Sequence, residues 1–338
     1  MRSAVSLKLV GALKRELPAL AALVALVVVG FVVAPGFLSV EWRGERLYGV
    51  PIDIFKNATP VILTATGMTL VIASGAIDLS VGSTMALAGA CAGLLLNRGT
   101  SPATAALCGL GAGLAVGMIN AALVSGVRLQ PIVATLVTLV SVRGAAQWLT
   151  DDQKIRLANP EFETLGSGAA FGIPVPVCIS GLCVVIVAVI VRSTRVGMAI
   201  ESVGDNREGA RRCGIWVGGV GAFTFAVSGL LAAVAGMIGA ADIREADVAN
   251  SGLSVELDAV LAVVLGGTAL TGGRARIFGT IVGAILMQTL TVLMQMKGVL
   301  TDQALVIKAL VAFAAAAAQS PGVAQLFAAR RLAWKVRP

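Results

Sequence analysis

The chain has 338 residues, 57% of them apolar and 13% charged, with a mean hydropathy of +0.91 and a formal net charge of +8. A soluble protein carries roughly a quarter charged residues, whereas here runs near the roughly 20 apolar residues that cross a bilayer recur along nearly the whole chain; this describes a helical integral membrane protein and excludes a β-barrel, whose spans are short and alternating. The lack of histidine removes the commonest general base and metal ligand, and Cys91, Cys108, Cys178, Cys183 and Cys213 follow neither a disulfide framework nor a zinc spacing.

Arg2, Lys8, Lys14 and Arg15 precede the first apolar run, 17–34, which is long and lacks a small-x-small cleavage site, so it reads as an uncleaved first span. Further spans are expected near 58–76, 80–97, 103–126, 131–150, 173–192, 216–240, 257–272, 277–296 and 304–319, about ten in all, with an even count between eight and ten. Arg330, Arg331, Lys335 and Arg337 follow the last. With the excess cations of the net charge gathered at both ends, the positive-inside rule places both termini in the cytoplasm and gives the charge a partner in the membrane surface rather than in nucleic acid. Segment 192–214, rich in arginine, then falls inside, with Arg128, Arg274 and Arg276; the acidic 151–163 and 242–258 fall outside. The layout is a cytoplasmic tail 1–16, one transmembrane domain 17–320 with a cytoplasmic loop at 193–215, and a basic tail 321–338.

Small residues recur at helical spacing in two spans: Gly109, Gly113 and Gly117 in the fourth, and Ser228, Ala232, Gly236 and Ala240 in the seventh. Such rows let helix backbones approach closely.

In the cytoplasmic loop, "GDNREGARRCGI" (204–215) reads as a short capped helix. Asp205 is expected at its N-cap with Glu208 reaching back, Gly214 at its left-handed stop, and Glu208 and Arg212 as an i,i+4 pair. Two turns are too few to stand alone in water, so the helix packs against either anionic headgroups or a cytoplasmic partner.

Four stretches, the loop helix among them, carry a resemblance: "GMTLVIASGAIDLSVGS" (67–83), "LQPIVATLVTLVSVRGAAQWLT" (129–150), "VGDNREGARRCGI" (203–215) and "ELDAVLAVVLGGTALTGGRARIFGTIVGA" (256–284). In that order, and over about 51–319, they resemble permease subunits of bacterial ABC importers of the ribose/galactose type, with Ile132 where that family favours phenylalanine. "YGVPIDIFKNATPV" and "ADIREADVANSGLSVELDA" look most like its galactofuranose/galactose branch. The resemblance implies an all-α, type II-like permease in the bacterial inner membrane. It implies a non-enzymatic subunit that binds no cofactor, works with ABC ATPase subunits carrying ATP-Mg, with a second permease chain, identical or not, and with a periplasmic sugar-binding protein, and imports a monosaccharide. No G-x-x-x-x-G-K-[ST] phosphate loop occurs in the chain, in keeping with ATP hydrolysis elsewhere. By the same resemblance Asp205, Asn206, Arg207, Glu208, Ala210, Arg211 and Gly214 belong to the helix that docks on the ATPase; Glu208-Gly209-Ala210 stands where the broader family prefers Glu-Ala-Ala.

Polar residues inside the apolar runs are the translocation-path candidates: Asp78, Ser80, Thr84, Asn120, Arg143, Gln147, Thr268 and Thr271. A charge near a helix centre costs about 2.5–3.5 kcal/mol on insertion scales, so it faces a cavity or a partner. Arg143 is a possible ion partner for Asp78; the carboxylate could equally cap backbone N–H groups freed where Gly75 and Gly82 interrupt the run. "GGTALTGGR" (266–274) is a partial echo of "GAIDLSVGS", and transporters often break helices at related positions in two halves. An ion-coupled secondary transporter, with Asp78 carrying a proton or cation, remains the alternative; a membrane-embedded enzyme has little support without histidine or paired carboxylates.

Overall fold

The computed structural model describes residues 2–319 apart from 35, 45 and 300, so the expected tail 321–338 lies outside the described residues. In chain order come α1 (Arg2–Val33), the hairpin β1 (Glu41–Arg43) and β2 (Arg46–Tyr48), α2 (Val50–Ala73), α3 (Val81–Asn97), α4 (Pro102–Ala121) ending in a π-turn over Ala122–Gly126, and α5 (Pro131–Leu149). Then follow β3 (Ile155–Arg156), α6 (Pro160–Ser167), β4 (Ala169–Ala170), β5 (Ile173–Pro174), α7 (Val175–Ser193), α8 (Arg195–Asp205), α9 (Arg207–Arg212) and α10 (Val217–Ile243). The last elements are β6 (Glu245–Ala246), α11 (Val255–Leu265), α12 (Ile277–Met296) and α13 (Thr301–Gln319). Five of the described helices are long and apolar enough to cross a membrane: Pro102–Gly126, Pro131–Leu149, Val175–Ser193, Val217–Ile243 and Ile277–Met296. Helix α3 is apolar but shorter.

At the centre, α2 and α10 pack against each other, with α12 and α11 on one side and α3 and α4 on the other. From Ala58 to Ala73 every residue of α2 but Pro60 is buried, as befits a helix that is apolar all round. The glycine row of α4 lets it approach α10 closely: a Cβ on Gly113 would lie 2.4 Å from the Gly229 carbonyl oxygen and one on Gly117 2.3 Å from that of Phe225, while one on Gly109 would meet the Met237 sulfur at 2.7 Å. The row on α10 meets other neighbours, with Gly236 against Met85 of α3 and Ser228 against Gly67 of α2.

The molecule has two distinct ends. At one, three antiparallel two-stranded ribbons gather, β1 with β2, β3 with β6 and β4 with β5, in register at Trp42↔Leu47, Ile155↔Ala246 and Ala169↔Pro174. At the other sit α8 and α9, whose Ile200, Val203 and Ala210 pack on Ala73, the last residue of α2, and on Val220. The continuous span expected over 257–272 is not formed. Helix α11 has 11 residues, and 266–276 is non-helical, because glycines at 266, 267, 272 and 273 interrupt it, three of them at positive φ.

Candidate functional site

Two segments of the chain enter the body of the helix bundle without forming helix. The first, residues 74–80, returns from the end of α2 at the α8–α9 end and leads into α3. Asp78 lies on it, buried, and receives four hydrogen bonds. Oδ1 accepts from the Ser80 N–H (3.0 Å), the Ser80 hydroxyl (2.7 Å) and the Asn120 amide (3.2 Å), and Oδ2 from the Ser228 hydroxyl (2.8 Å). The Asn120 amide also donates to Ser80 Oγ at 2.7 Å. Thus α4, α10 and the 74–80 segment are tied through one carboxylate, whose charge is spread over donors of charge-assisted type. Thr84 donates to the Ser80 carbonyl (2.8 Å), extending the knot into α3.

The second segment, 247–254, enters from the ribbon end. It descends along α3: Ala246 lies against Gly93, Val248 among Ala86, Ala90 and Ala146, and Gly252 against Gly82. Gly82 and Gly93 are about 16 Å apart along a helix axis, so the chain goes deep before α11 begins. Arg143 of α5 holds it there, donating from one guanidinium nitrogen to the carbonyls of Val248 (2.8 Å) and Ser251 (2.7 Å). Lys154 and the Asn250 amide bind Asp247 at the top, at 2.8 and 2.9 Å. Those two donors, Lys154 first, hold the Asp247 carboxyl below its ordinary range, and Asp247 in turn holds the Lys154 ammonium above its own.

The expected Asp78–Arg143 ion pair is therefore absent, and the register of α5 gives the reason. Thr135 donates to the carbonyl of Ile77, next to Asp78, and Arg143 lies eight residues further along α5, about 12 Å away along the helix axis and out of reach. Arg143 interacts electrostatically with Glu256 instead. Glu256 Oε2, next to the Gly82–Gly252 contact, has no hydrogen-bond partner among the described residues. Gln147, one turn along α5 from Arg143, is half-buried. Thr268 is buried and accepts from the Arg276 N–H (3.2 Å), closing the non-helical link between α11 and α12, whereas Thr271 on the same link is exposed. Ser228 and Glu256 belong with these residues and were not anticipated. Ser228 is the one hydroxyl in its small-residue row, and Glu256 is an acid in the first turn of α11, just after the dipping segment.

At the α8–α9 end the short helix forms as α9, but its N-cap is Asn206, which accepts the Gly209 N–H at 2.8 Å, and not Asp205, which closes α8. Glu208 pairs with Arg212 at 3.1 Å instead of reaching back over the cap. Gly214 takes the left-handed stop at φ 83, and the Ile215 N–H closes on the Ala210 carbonyl at 3.0 Å. Ala210 is buried, while Arg207, Glu208 and Arg211 are exposed. One turn before α9, Gly204 touches two other segments backbone to backbone. A Cβ there would lie 1.8 Å from the Ala73 carbonyl oxygen and 2.5 Å from the Gly273 nitrogen, and the Gly273 N–H donates to that same Ala73 carbonyl (2.9 Å). The exposed helix is thereby joined to both glycine-rich breaks, at the foot of α2 and between α11 and α12.

Residues 50–316 match the family model described as the permease component of the branched-chain amino acid transport system. The chain belongs to this family. Among curated relatives, the permease is 42% identical over 304 residues to the galactofuranose transporter permease protein YtfT of Escherichia coli (strain K12), covering 90% of this chain and 89% of the relative. It is 38% identical to the fructose import permease protein FruF of Bifidobacterium longum (strain NCC 2705), over 78% and 76% of the two chains. It is 33% identical to the ribose import permease protein RbsC of Escherichia coli (strain K12), over 88% and 91%. No solved structure matches the permease.

Proposed function

We propose that the permease is the transmembrane subunit of an ATP-driven ABC importer in a bacterial inner membrane. In this reading it passes a monosaccharide of the galactofuranose, galactose or ribose kind, handed over by a periplasmic binding protein, and pairs with a second permease chain. ATP-Mg and its hydrolysis belong to partner ATPase subunits. About ten spans place α8–α9 and both termini in the cytoplasm, with the tails 1–16 and 321–338 flanking a transmembrane domain 17–320. Arg143, Gln147, Thr84, Thr268 and Thr271 supply hydroxyl, amide and guanidinium groups to the path, while Asp78, Ser80 and Asn120 hold its wall in shape.

The observation that carries this reading is the Gly204 joint. A capped, charged, exposed helix too short to persist alone follows directly on the last turn of α8, whose Gly204 meets both breaks backbone to backbone, which suits an input from a docked ATPase. Uptake in vesicles is the test: it should require the ATPase subunit and ATP. Glu208→Lys should lower both uptake and ATPase association while membrane insertion stays normal. Uptake by the permease alone under an ion gradient would refute the reading.

A further inference from the structure

Beside α9 lies a basin of about 480 Å³. Arg207, Glu208 and Arg211 form one wall; Ser125 and Arg128, from the π-turn after α4 and the link to α5, form the other. Val124, Ile215 and Val217 give it an apolar lining, and Trp216 stands at its edge, 81% exposed. Its charges do not cancel. Glu208 is its one carboxylate and is paired outward with Arg212, while Arg128, Arg207 and Arg211 have no ion-pair partner among the described residues.

Arg128 is also held in an unusual way. Its φ is 66, in the left-handed region that ends helices most readily with glycine or asparagine. The turn is locked, since the Leu129 N–H donates to the Leu123 carbonyl (3.0 Å) and the Val127 N–H to that of Ala122 (2.9 Å). A long cation thus occupies a position where the backbone favours glycine, across the basin from two more guanidinium groups. Such departures from backbone preference point towards function when surrounding contacts enforce them.

We propose that this basin is a second half of the ATPase docking surface, and that it receives an acidic side chain, aspartate or glutamate, from a projecting segment of the ATPase subunit. The proposal rests on the coupling reading of α9. A carboxylate matches the planar fork of guanidinium, and the apolar lining with an exposed tryptophan at the edge is the setting in which protein contacts concentrate their binding energy. A lipid headgroup has nothing to set against the apolar lining of Val124, Ile215 and Val217, whereas a protein segment does. The α4–α5 link and α9 are then gripped together, so that docking fixes α4 and α5 relative to α8.

The full-length permease in nanodiscs, titrated with the ATPase subunit that copurifies with it, tests this. Arg128→Gly suits the left-handed backbone, so it removes the cation without strain; it should bind the ATPase several-fold more weakly, and Arg128→Glu about tenfold more weakly. Changing exposed acids of the ATPase to lysine, one at a time, should yield one variant that restores binding to Arg128→Glu. Normal binding by Arg128→Gly beside failure of Glu208→Lys overturns this inference and leaves the α9 reading intact; normal binding by both overturns the two together. If the defect of Arg128→Gly occurs only in discs containing anionic phospholipid, the basin is a headgroup site and the proposal falls.

Discussion

The two segments that enter the bundle without helix are fixed by opposite chemistry. Residues 74–80 are held by an anion that accepts from neutral groups of three elements, and all that carboxylate's bonds are made inside the permease. Residues 247–254 are held by a cation that donates through one nitrogen to two carbonyls, with a carboxylate oxygen of Glu256 left unpartnered nearby. The segments meet at Gly82 and Gly252, where a Cβ on either glycine would stand 2.2 Å from the other's carbonyl oxygen. The first is built like a structural pin, the second like a clasp with bonding capacity to spare. A carboxylate with both oxygens occupied stiffens a core, although Asn120 Oδ1 beside it has no hydrogen-bond partner among the described residues, whereas the unpartnered oxygen of Glu256 belongs to the carboxylate itself and is where a ligand or a rearrangement finds purchase.

Substitutions sharpen or break that contrast. Asp78→Ala strands the Ser80 N–H and the Ser80 and Ser228 hydroxyls, each worth about 1–3 kcal/mol when left unpaired in a core. It should therefore remove most folded protein, as read by thermal unfolding in detergent, with Asp78→Asn milder. Gly82→Ala forces the two segments apart and should cost about 1–3 kcal/mol by the same measurement. Arg143→Met should unfold near the wild-type temperature yet lower uptake about tenfold, because it releases the 247–254 segment more than it weakens the core. If it unfolds as readily as Asp78→Ala, the clasp is a second pin and the contrast fails. The smallest effect concerns pH. Asp247 is held below the ordinary carboxylate range, so its stabilisation is present at neutral pH and fades as pH falls below about 4. Lys154 is held above its ordinary range, so its share is present below that range and is lost as pH rises past it. Amide exchange across 246–252 should quicken at both extremes, and Lys154→Met should remove the slow window between.

Much of this was legible in the chain. The period of apolar runs located nearly every helix, and the spacing of Glu208, Arg212 and Gly214 located α9. The cap slipped by one residue because Asp205 and Asn206 are adjacent and chemically alike, and only the end of α8 decides between them. The pairing of Asp78 was less accessible. An aspartate and an arginine in neighbouring apolar runs invite each other on electrostatic grounds, but their relative depth follows from where Thr135 meets Ile77, a contact between distant parts of the sequence. The dip of 247–254 was hidden for a similar reason: its acids and asparagine read as an exposed loop, while the glycine that lets it pass α3 has its counterpart at Gly82, far away in sequence.

The Gly204 contact has a mechanical corollary. Side-chain joints yield gradually, by changes of rotamer, but here main chain bears on main chain and the Ala73 carbonyl is shared with the Gly273 amide. No slack is available at that point. A displacement of α8 large enough to matter bears at once on the foot of α2 and on the link between α11 and α12, so both glycine-rich breaks feel it together.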